Sequence, residues 1–249
     1  MYNELKDKVA LITGSTKGIG RGIAEKYASL GVKLVLNYSS DDKSAEETTK
    51  LMEQYGVEFL VLKADVSNLT AIEKLFTDAI NHFGKLDIVI ANAGIELIET
   101  PVIDSTEEDF DKIFNVNVKG TFFVLQQAAR HVVDGGRIIL VSSTMSIHPD
   151  PGASIYAASK AASKLFVDVL AKELGTRQVT VNSVMPGIID NAGVITNQPE
   201  DVKQKMKAGS PLSRLGSAAD VGNVAAFLAS NEASFIHGHH LQVNGGSIY

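Results

Sequence analysis

Tyr156 and Lys160 stand four residues apart in the stretch SIYAASKAAS (154–163), where nearly every neighbour is alanine or serine. On a helix, residues i and i+4 share a face one turn apart, so a phenol and an ammonium would be neighbours. A free tyrosine titrates at about 10 and is poorly tuned for proton transfer at neutral pH. A cation beside it favours the phenolate and lowers that value, which makes the phenol a usable proton donor. Small neighbours such as Ala157, Ala158 and Ser159 leave room for reactants to approach the helix. Taken alone, the same pattern also describes an amphipathic helix that happens to carry a tyrosine. The rest of the chain has to decide.

With 249 residues the chain is long enough to bury most of its apolar surface in one core. A formal charge of −6 argues against nucleic-acid and anionic-membrane partners, which favour a basic face. The absence of cysteine excludes disulfides, thiolate catalysis and Cys-ligated zinc or iron–sulfur sites, and fits a reducing compartment. The start, MYNELKDKVALITGS, places charges on both sides of a short apolar run, unlike a secretory signal. No run approaches the roughly 18 apolar residues of a membrane span. These features read as a soluble, cytoplasmic protein.

Short apolar runs recur along the chain: VALIT (9–13), KLVLN (33–37), EFLVL (58–62), DIVIA (87–91), RIILVS (137–142), VTVNSV (179–184) and HLQV (240–243). They are continuously apolar rather than alternating, as strands buried on both faces are. Helical spacing separates most of them; Ile23, Tyr27 and Leu30 mark one helix, with Gly31 as its stop. Strand and helix in alternation predict right-handed crossovers, and so a parallel α/β sheet covered on both faces. No Pro/Gly/Ser-rich linker divides the chain, which reads as a single domain over residues 1–249. Residues 186–212, rich in Gly, Pro, Asn and Lys, form the longest irregular candidate; from about 188 they look like a mobile cover over a site.

TGSTKGIG (13–20) lies between the first strand and the first helix. Glycines there allow close backbone approach and free N–H groups aimed at an anion, so Gly14, Ser15, Thr16, Lys17, Gly18, Ile19 and Gly20 are candidate dinucleotide contacts. The glycine spacing of four then two is a variant of the usual fingerprint. Sites that read an unphosphorylated ribose present a carboxylate near the end of the second strand, whereas a 2′-phosphate needs a cation. That strand ends in Asn37, Tyr38 and Ser39, with Asn37 where an acid would repel a phosphate, and Lys17 offers a positive charge. The expected cofactor is therefore NADP(H) rather than NAD(H).

Eight segments now stand in order: TGSTKGIG, ADV (64–66), NAG (92–94), VNVKG (116–120), SS (142–143), YAASK (156–160), NSVMPG (182–187), and the tail PLSRLGSAADVGNVAAFLAS with LQVNGG. In these the chain resembles the short-chain dehydrogenase/reductase family over essentially its full length, nearest to the 3-oxoacyl-carrier-protein and small-ketone reductases. The resemblance implies a Rossmann-type doubly wound sheet of seven strands and a tetrad of Asn117, Ser143, Tyr156 and Lys160. The family's spacing of thirteen residues before the tyrosine selects Ser143 over Ser142 and Thr144. It also implies Asp65 and Val66 beside the adenine, Asn92, Ala93 and Gly94 along the ribose, and Pro186, Gly187 and Ile189 at the nicotinamide. Ser143 would stabilise charge on a substrate oxygen, Lys160 would also hold the ribose, and Asn117 would hold a water leading to solvent. The implied activity is carbonyl reduction by a homotetramer, on a small-molecule ketone or alcohol. The other readings are a 3-oxoacyl-carrier-protein reductase, an NAD-linked polyol or sugar dehydrogenase, and a catalytically idle cofactor-binding regulator.

Some positions depart from the family. Asn191 occupies the approximate place of a threonine that bonds the cofactor, and Asp134 stands where a carrier-binding cation is expected beside Arg177. A carboxylate there would repel an acidic carrier. HGHH (237–240) reads as packing at the end of the chain rather than a metal site, because adjacent His239 and His240 on a strand face opposite ways. His148, shortly after Ser143, either lines a pocket or faces solvent.

Overall fold

The structure is a computed structural model and describes residues 2–247. The apolar runs become strands β1 (Val9–Ile12), β2 (Lys33–Tyr38), β3 (Phe59–Lys63), β4 (Leu86–Ala91), β5 (Val132–Val141), β6 (Thr180–Pro186) and β7 (His240–Val243). Among the described residues they form one sheet in the order β3-β2-β1-β4-β5-β6-β7, every neighbouring pair parallel. The helices are α1 (Gly18–Ser29), α2 (Asp42–Tyr55), α3 (Leu69–Phe83), α4 (Glu107–Phe114), α5 (Thr121–His131), α6 (Ser154–Leu174), α7 (Glu200–Gly209) and α8 (Ala218–Ala229).

Alternation along each strand divides the interior into two cores. Ala10 and Ile12 of β1, Leu34 and Leu36 of β2, and Ile88 and Ile90 of β4 pack with Ile23 and Tyr27 of α1 and with Val221 and Leu228 of α8. Val9, Leu11, Val35 and Val89 point to the other face, onto Leu75 and Phe76 of α3, Leu125 of α5 and Val167 of α6. Each fully buried Leu or Ile is worth roughly 1.5–3 kcal/mol against exposure. Both faces must therefore stay covered, which explains why the runs read as continuously apolar. Among the described residues, no helix is long and apolar enough to cross a membrane.

Polar residues set the helix starts. Thr106 and Asp109 form a reciprocal capping box on α4, and Ser217 and Asp220 form another on α8. Gly31, at φ +76°, follows α1 as its stop, as the sequence predicts. The chain winds outward from β1 through β2 to β3, then returns to place β4 on the other side of β1. In open α/β sheets ligands bind at this reversal, outside the carboxyl ends of the strands.

Two expectations need correction. Residues 186–212 are not irregular throughout: a 3-10 turn spans Gly193–Asn197 and α7 follows. Pro199 precedes the helix, Glu200 and Asp201 sit at its positive end and Lys207 near its negative end. Half of its residues are charged and none is fully buried, so its apolar stripe is reduced to Val202 and Met206, too short to read as a helix. The fifth strand also begins earlier than residue 137, at Val132; the Asp-Gly-Gly at 134–136 mimics a turn, with Gly135 at φ +76°.

The contact between α1 and α8 depends on small residues. A β-carbon on Gly222 would lie 2.8 Å from the Gly22 carbonyl oxygen, while the Tyr27 hydroxyl donates to the Ala225 carbonyl at 3.0 Å nearby. Gly222→Val should cost about 2 kcal/mol or more through overpacking, read as a lower urea midpoint with an unchanged slope. A loss under about 0.5 kcal/mol would contradict this close packing.

Candidate active site

The glycine loop is built by three polar residues beneath it. Thr13, buried at the end of β1, accepts the backbone N–H groups of Asn92 and Ala93 on its hydroxyl, each at 3.0 Å. The Asn92 amide donates to the carbonyls of Thr13 (2.8 Å) and Gly14 (2.9 Å). Asn37 accepts from the Gly14 N–H at 3.2 Å and donates to the carbonyls of Tyr38, Leu62 and Ala64. Gly14 and Gly18 adopt φ +62° and +53°, and a β-carbon on Gly20 would strike the Gly14 carbonyl. The loop thus turns tightly onto the start of α1, a ready anion site.

These contacts revise two roles. Asn37 is buried and holds the loop from below, so the residues at the open end of β2 are Tyr38, half-buried, and Ser39, exposed. Lys17 reaches into solvent and pairs loosely with Asp41, Nζ to Oδ2 3.8 Å. Asp41 is itself committed to capping α2 through Ser44. Of the loop's other candidates, Ser15 and Thr16 are buried. Ser15 bonds the Asn37 backbone, and the Thr16 carbonyl is held by Arg21, a loop-fixing residue with no signal in the sequence pattern. Ile19 packs against the core below. Asp65 is exposed and accepts from Ser67 N–H, whereas Val66 is buried.

At the ends of β4 to β6 the tetrad residues converge. Asn117 lies in a π-helical turn, Asn115–Gly120, between α4 and α5. Its amide oxygen accepts Ile95 N–H (2.9 Å) and its nitrogen donates to Ile95 C=O (2.8 Å) and Ser159 Oγ (3.1 Å). A β-carbon on Gly94 would lie 3.2 Å from both Asn117 Oδ1 and Lys160 Nζ, which brings these side chains to one point. Lys160 Nζ donates to the Val141 carbonyl at 3.1 Å and sits 5.8 Å from the Tyr156 ring centroid. The Ser143 hydroxyl accepts Met145 N–H at 3.2 Å and stands near enough to the Tyr156 phenol to favour its ionised form. Pro186, Gly187 and Ile189 line the exit of β6: Thr144 donates to Pro186 C=O, Gly187 N–H to Val243 C=O, and buried Ile189 pairs with Gly216. His148 is half-buried, its N–H on Thr144 C=O.

The electrostatics correct the expected acidity. Burial pushes the Tyr156 phenol up, the Glu96 carboxylate pushes the same way, and the nearby Ser143 hydroxyl opposes both. Lys160 stands by the ring, but these side chains alone do not produce a low phenol pKa. Burial also pushes the Lys160 ammonium down to about 8, with Glu96 opposing. Both shifts disfavour the charged forms, while the ammonium still keeps its proton at neutral pH, so positive charge added nearby would act strongly on the phenol. Glu96 was missed as an individual residue; its only sequence signal is its place just after NAG, within the variable segment 95–100.

His237 and His240 are structural pins. His240 donates from Nε2 to Asp168 at 2.8 Å and accepts from Ser183 at 2.6 Å, which joins β7 to α6 and β6. This Ser-His-Asp order imitates a hydrolase triad, but Ser183 is fully buried and no substrate can reach it. His237 accepts Val181 N–H and bonds the Ala171 carbonyl.

Lys160 makes stability depend on pH. Below about 8 both folded and unfolded chains hold its proton, and the burial penalty is full. Between about 8 and the ordinary lysine value near 10.4 the unfolded chain still holds it and the folded chain has released it, so stability rises with pH. Relative to Lys160→Met, the native chain should gain on the order of 2 kcal/mol between about pH 7 and pH 9.5 in urea denaturation. An unchanged difference at the two pH values would contradict the burial effect.

Comparison with known proteins agrees with this geometry. The family described as "Enoyl-(Acyl carrier protein) reductase" matches residues 14–247. A short chain dehydrogenase/reductase from Cryptosporiopsis sp. is 40% identical over 260 residues, covering 98% of this chain and 96% of the relative. A hydroxynaphthalene reductase-like protein from Metarhizium brunneum is 38% identical over 257 residues, with the same coverage. The solved structure of a short chain dehydrogenase from Burkholderia cenocepacia J2315 in complex with NADP is 34% identical, with a TM-score of 0.90 over 97% of this chain and 98% of that one. The chain belongs to the short-chain dehydrogenase/reductase family and is an oxidoreductase.

Proposed function

We propose that the protein is an NADPH-dependent carbonyl reductase that moves hydride between nicotinamide and a ketone or secondary alcohol, with Tyr156 as general acid and base. The observation that carries this reading is the convergence of Ser143, buried Tyr156 and a buried Lys160, Nζ 5.8 Å from the phenol ring centroid, at the sheet edge that also holds the glycine loop. The loop fits a dinucleotide, since β-carbons at Gly14, Gly20 and Gly94 would fill its cradle or crowd Asn92, Asn117 and Lys160. Bound there, the nicotinamide supplies the hydride.

The chain's own groups supply position and the proton. Ser143 donates to the substrate oxygen as charge develops on it, and Tyr156 delivers the proton from beside Ser143. Lys160 provides the positive field below the ring, anchored on Val141. Asn117 fixes Ile95 and Ser159 and so sets the wall between loop and helix. NADP(H) is favoured over NAD(H) because residues 37–40 at the end of β2 offer no carboxylate and Lys17 stands near; the Burkholderia relative is an NADP complex.

Residues 1–249 act as one catalytic domain, with the Gly193 turn and α7 as a cover held to the end of β6 by the Lys203–Asp190 ion pair at 3.3 Å. An acidic carrier is disfavoured: Arg177 is paired to Asp134 at 2.7 Å and spends its other donors on the Ala129 and Val132 carbonyls. A free small ketone suits the site better, and the relative's name makes a fused-ring phenolic ketone a useful member of a panel. Exposed Phe122, Leu165 and Val169 on α5 and α6 offer an apolar face that would be covered in the homotetramer expected from the resemblance.

Tyr156→Phe keeps the ring and removes the acid. It should lower ketone turnover by roughly a hundredfold or more, with NADPH binding retained by fluorescence. A loss under about tenfold would contradict the assigned role. Assayed on the best ketone, NADPH should exceed NADH in kcat/KM by about tenfold or more, and the reverse order would overturn the cofactor choice.

A further inference from the structure

The loop after β4 is anchored at both ends. Ile95 is bonded in both directions by the Asn117 amide, and Thr100 N–H donates to the Gly152 carbonyl at 3.0 Å. Between these anchors the Glu96 carboxylate lies against Gly193, at φ +58°, so tightly that a β-carbon on Gly193 would collide with it. Glu96 thus stands where the wall of the site meets the turn leading to α7, and it is exposed. We infer that Glu96 is a specificity-determining residue that selects substrates by charge, admitting uncharged or cationic ketones and turning away those that carry a carboxylate or phosphate near the carbonyl. This rests on the carbonyl-reductase reading above.

Three observations support the assignment. The Glu96 field reaches both Tyr156 and Lys160, raising each, so it also reaches a carbonyl held at Tyr156. Lys160 is the cation below the same spot, and with Glu96 neutralised its charge would be left to attract an anion. Asp190 and Lys203, further along the cover, pair with one another at 3.3 Å and largely cancel. Like charges a few ångströms apart at a partly wet surface change affinity by about tenfold, enough to separate two otherwise matched substrates.

Acetoacetate and methyl acetoacetate differ by one charge and little else. Their kcat/KM values with NADPH are measured for the native enzyme, Glu96→Gln and Glu96→Asp. The native enzyme should prefer the ester; Glu96→Gln should raise the acid-to-ester ratio by about tenfold, and Glu96→Asp should restore the native ratio. A ratio within about twofold of native in Glu96→Gln, with the ester still reduced, overturns the inference and leaves the reductase reading standing. Should Glu96→Gln not fold, the native enzyme decides: its preference for the ester should shrink as salt rises from about 20 to 500 mM, and a constant preference overturns the inference. Failure of the native enzyme to oxidise NADPH with any ketone overturns the reductase reading itself.

Discussion

A lysine ammonium taken almost wholly out of water is the constraint around which this site is arranged. Lys160 is 7% exposed and donates to one backbone carbonyl, that of Val141. Such burial is unfavourable to the charged form, and the fold accepts the cost at one place only if the charge does something there. The ammonium is held beneath Gly94 and beside the Tyr156 ring, at the rim where the sheet reverses direction. The same burial raises the phenol, so the two groups resist ionisation together and each is sensitive to any charge brought near. That sensitivity suits a site whose cofactor changes charge during turnover.

Keeping these groups in register requires rigid strand ends. Thr13, Asn37 and Asn92 tie the ends of β1, β2 and β4 into one hydrogen-bonded platform under the glycine loop. Asn117 does the same between the β4 loop and α6, with Ser163 donating to its backbone carbonyl at 2.7 Å. His240, Ser183 and Asp168 brace the far side of α6 against β6 and β7. Polar side chains inside the sheet edge therefore serve position, while the apolar cores on both faces supply the stability that permits them.

Much of this was legible in the residues. The strand runs and the Gly31 stop follow from local chemistry that tertiary packing does not override. Tyr156 and Lys160 were legible because one helix carries both. Asn117, Ser143 and the expected contacts at residues 65–66, 92–94 and 186–189 rested on the resemblance alone, since no local rule links residues that meet across a sheet. Three things were hidden. Helix α7 is highly charged and fully buries no residue, so only Val202 and Met206 mark its apolar side. Asn37 was read as facing the ribose because a strand pattern cannot show which end of a side chain is already bonded. The acidity of Tyr156 in the free protein was misjudged in direction because i, i+4 spacing reports a nearby cation but not the burial shared with it.

The central claim is that the phenol resists ionisation in the free protein and becomes acidic when positive charge is added at the dinucleotide site. Titration of the Tyr156 ring carbon in selectively labelled protein, free and saturated with NADP+, tests it directly. The account predicts a phenol still protonated at about pH 10 in the free protein and a midpoint lower by at least about one unit with NADP+. Equal midpoints in the two states, or a free phenol that ionises well below 10, would contradict it.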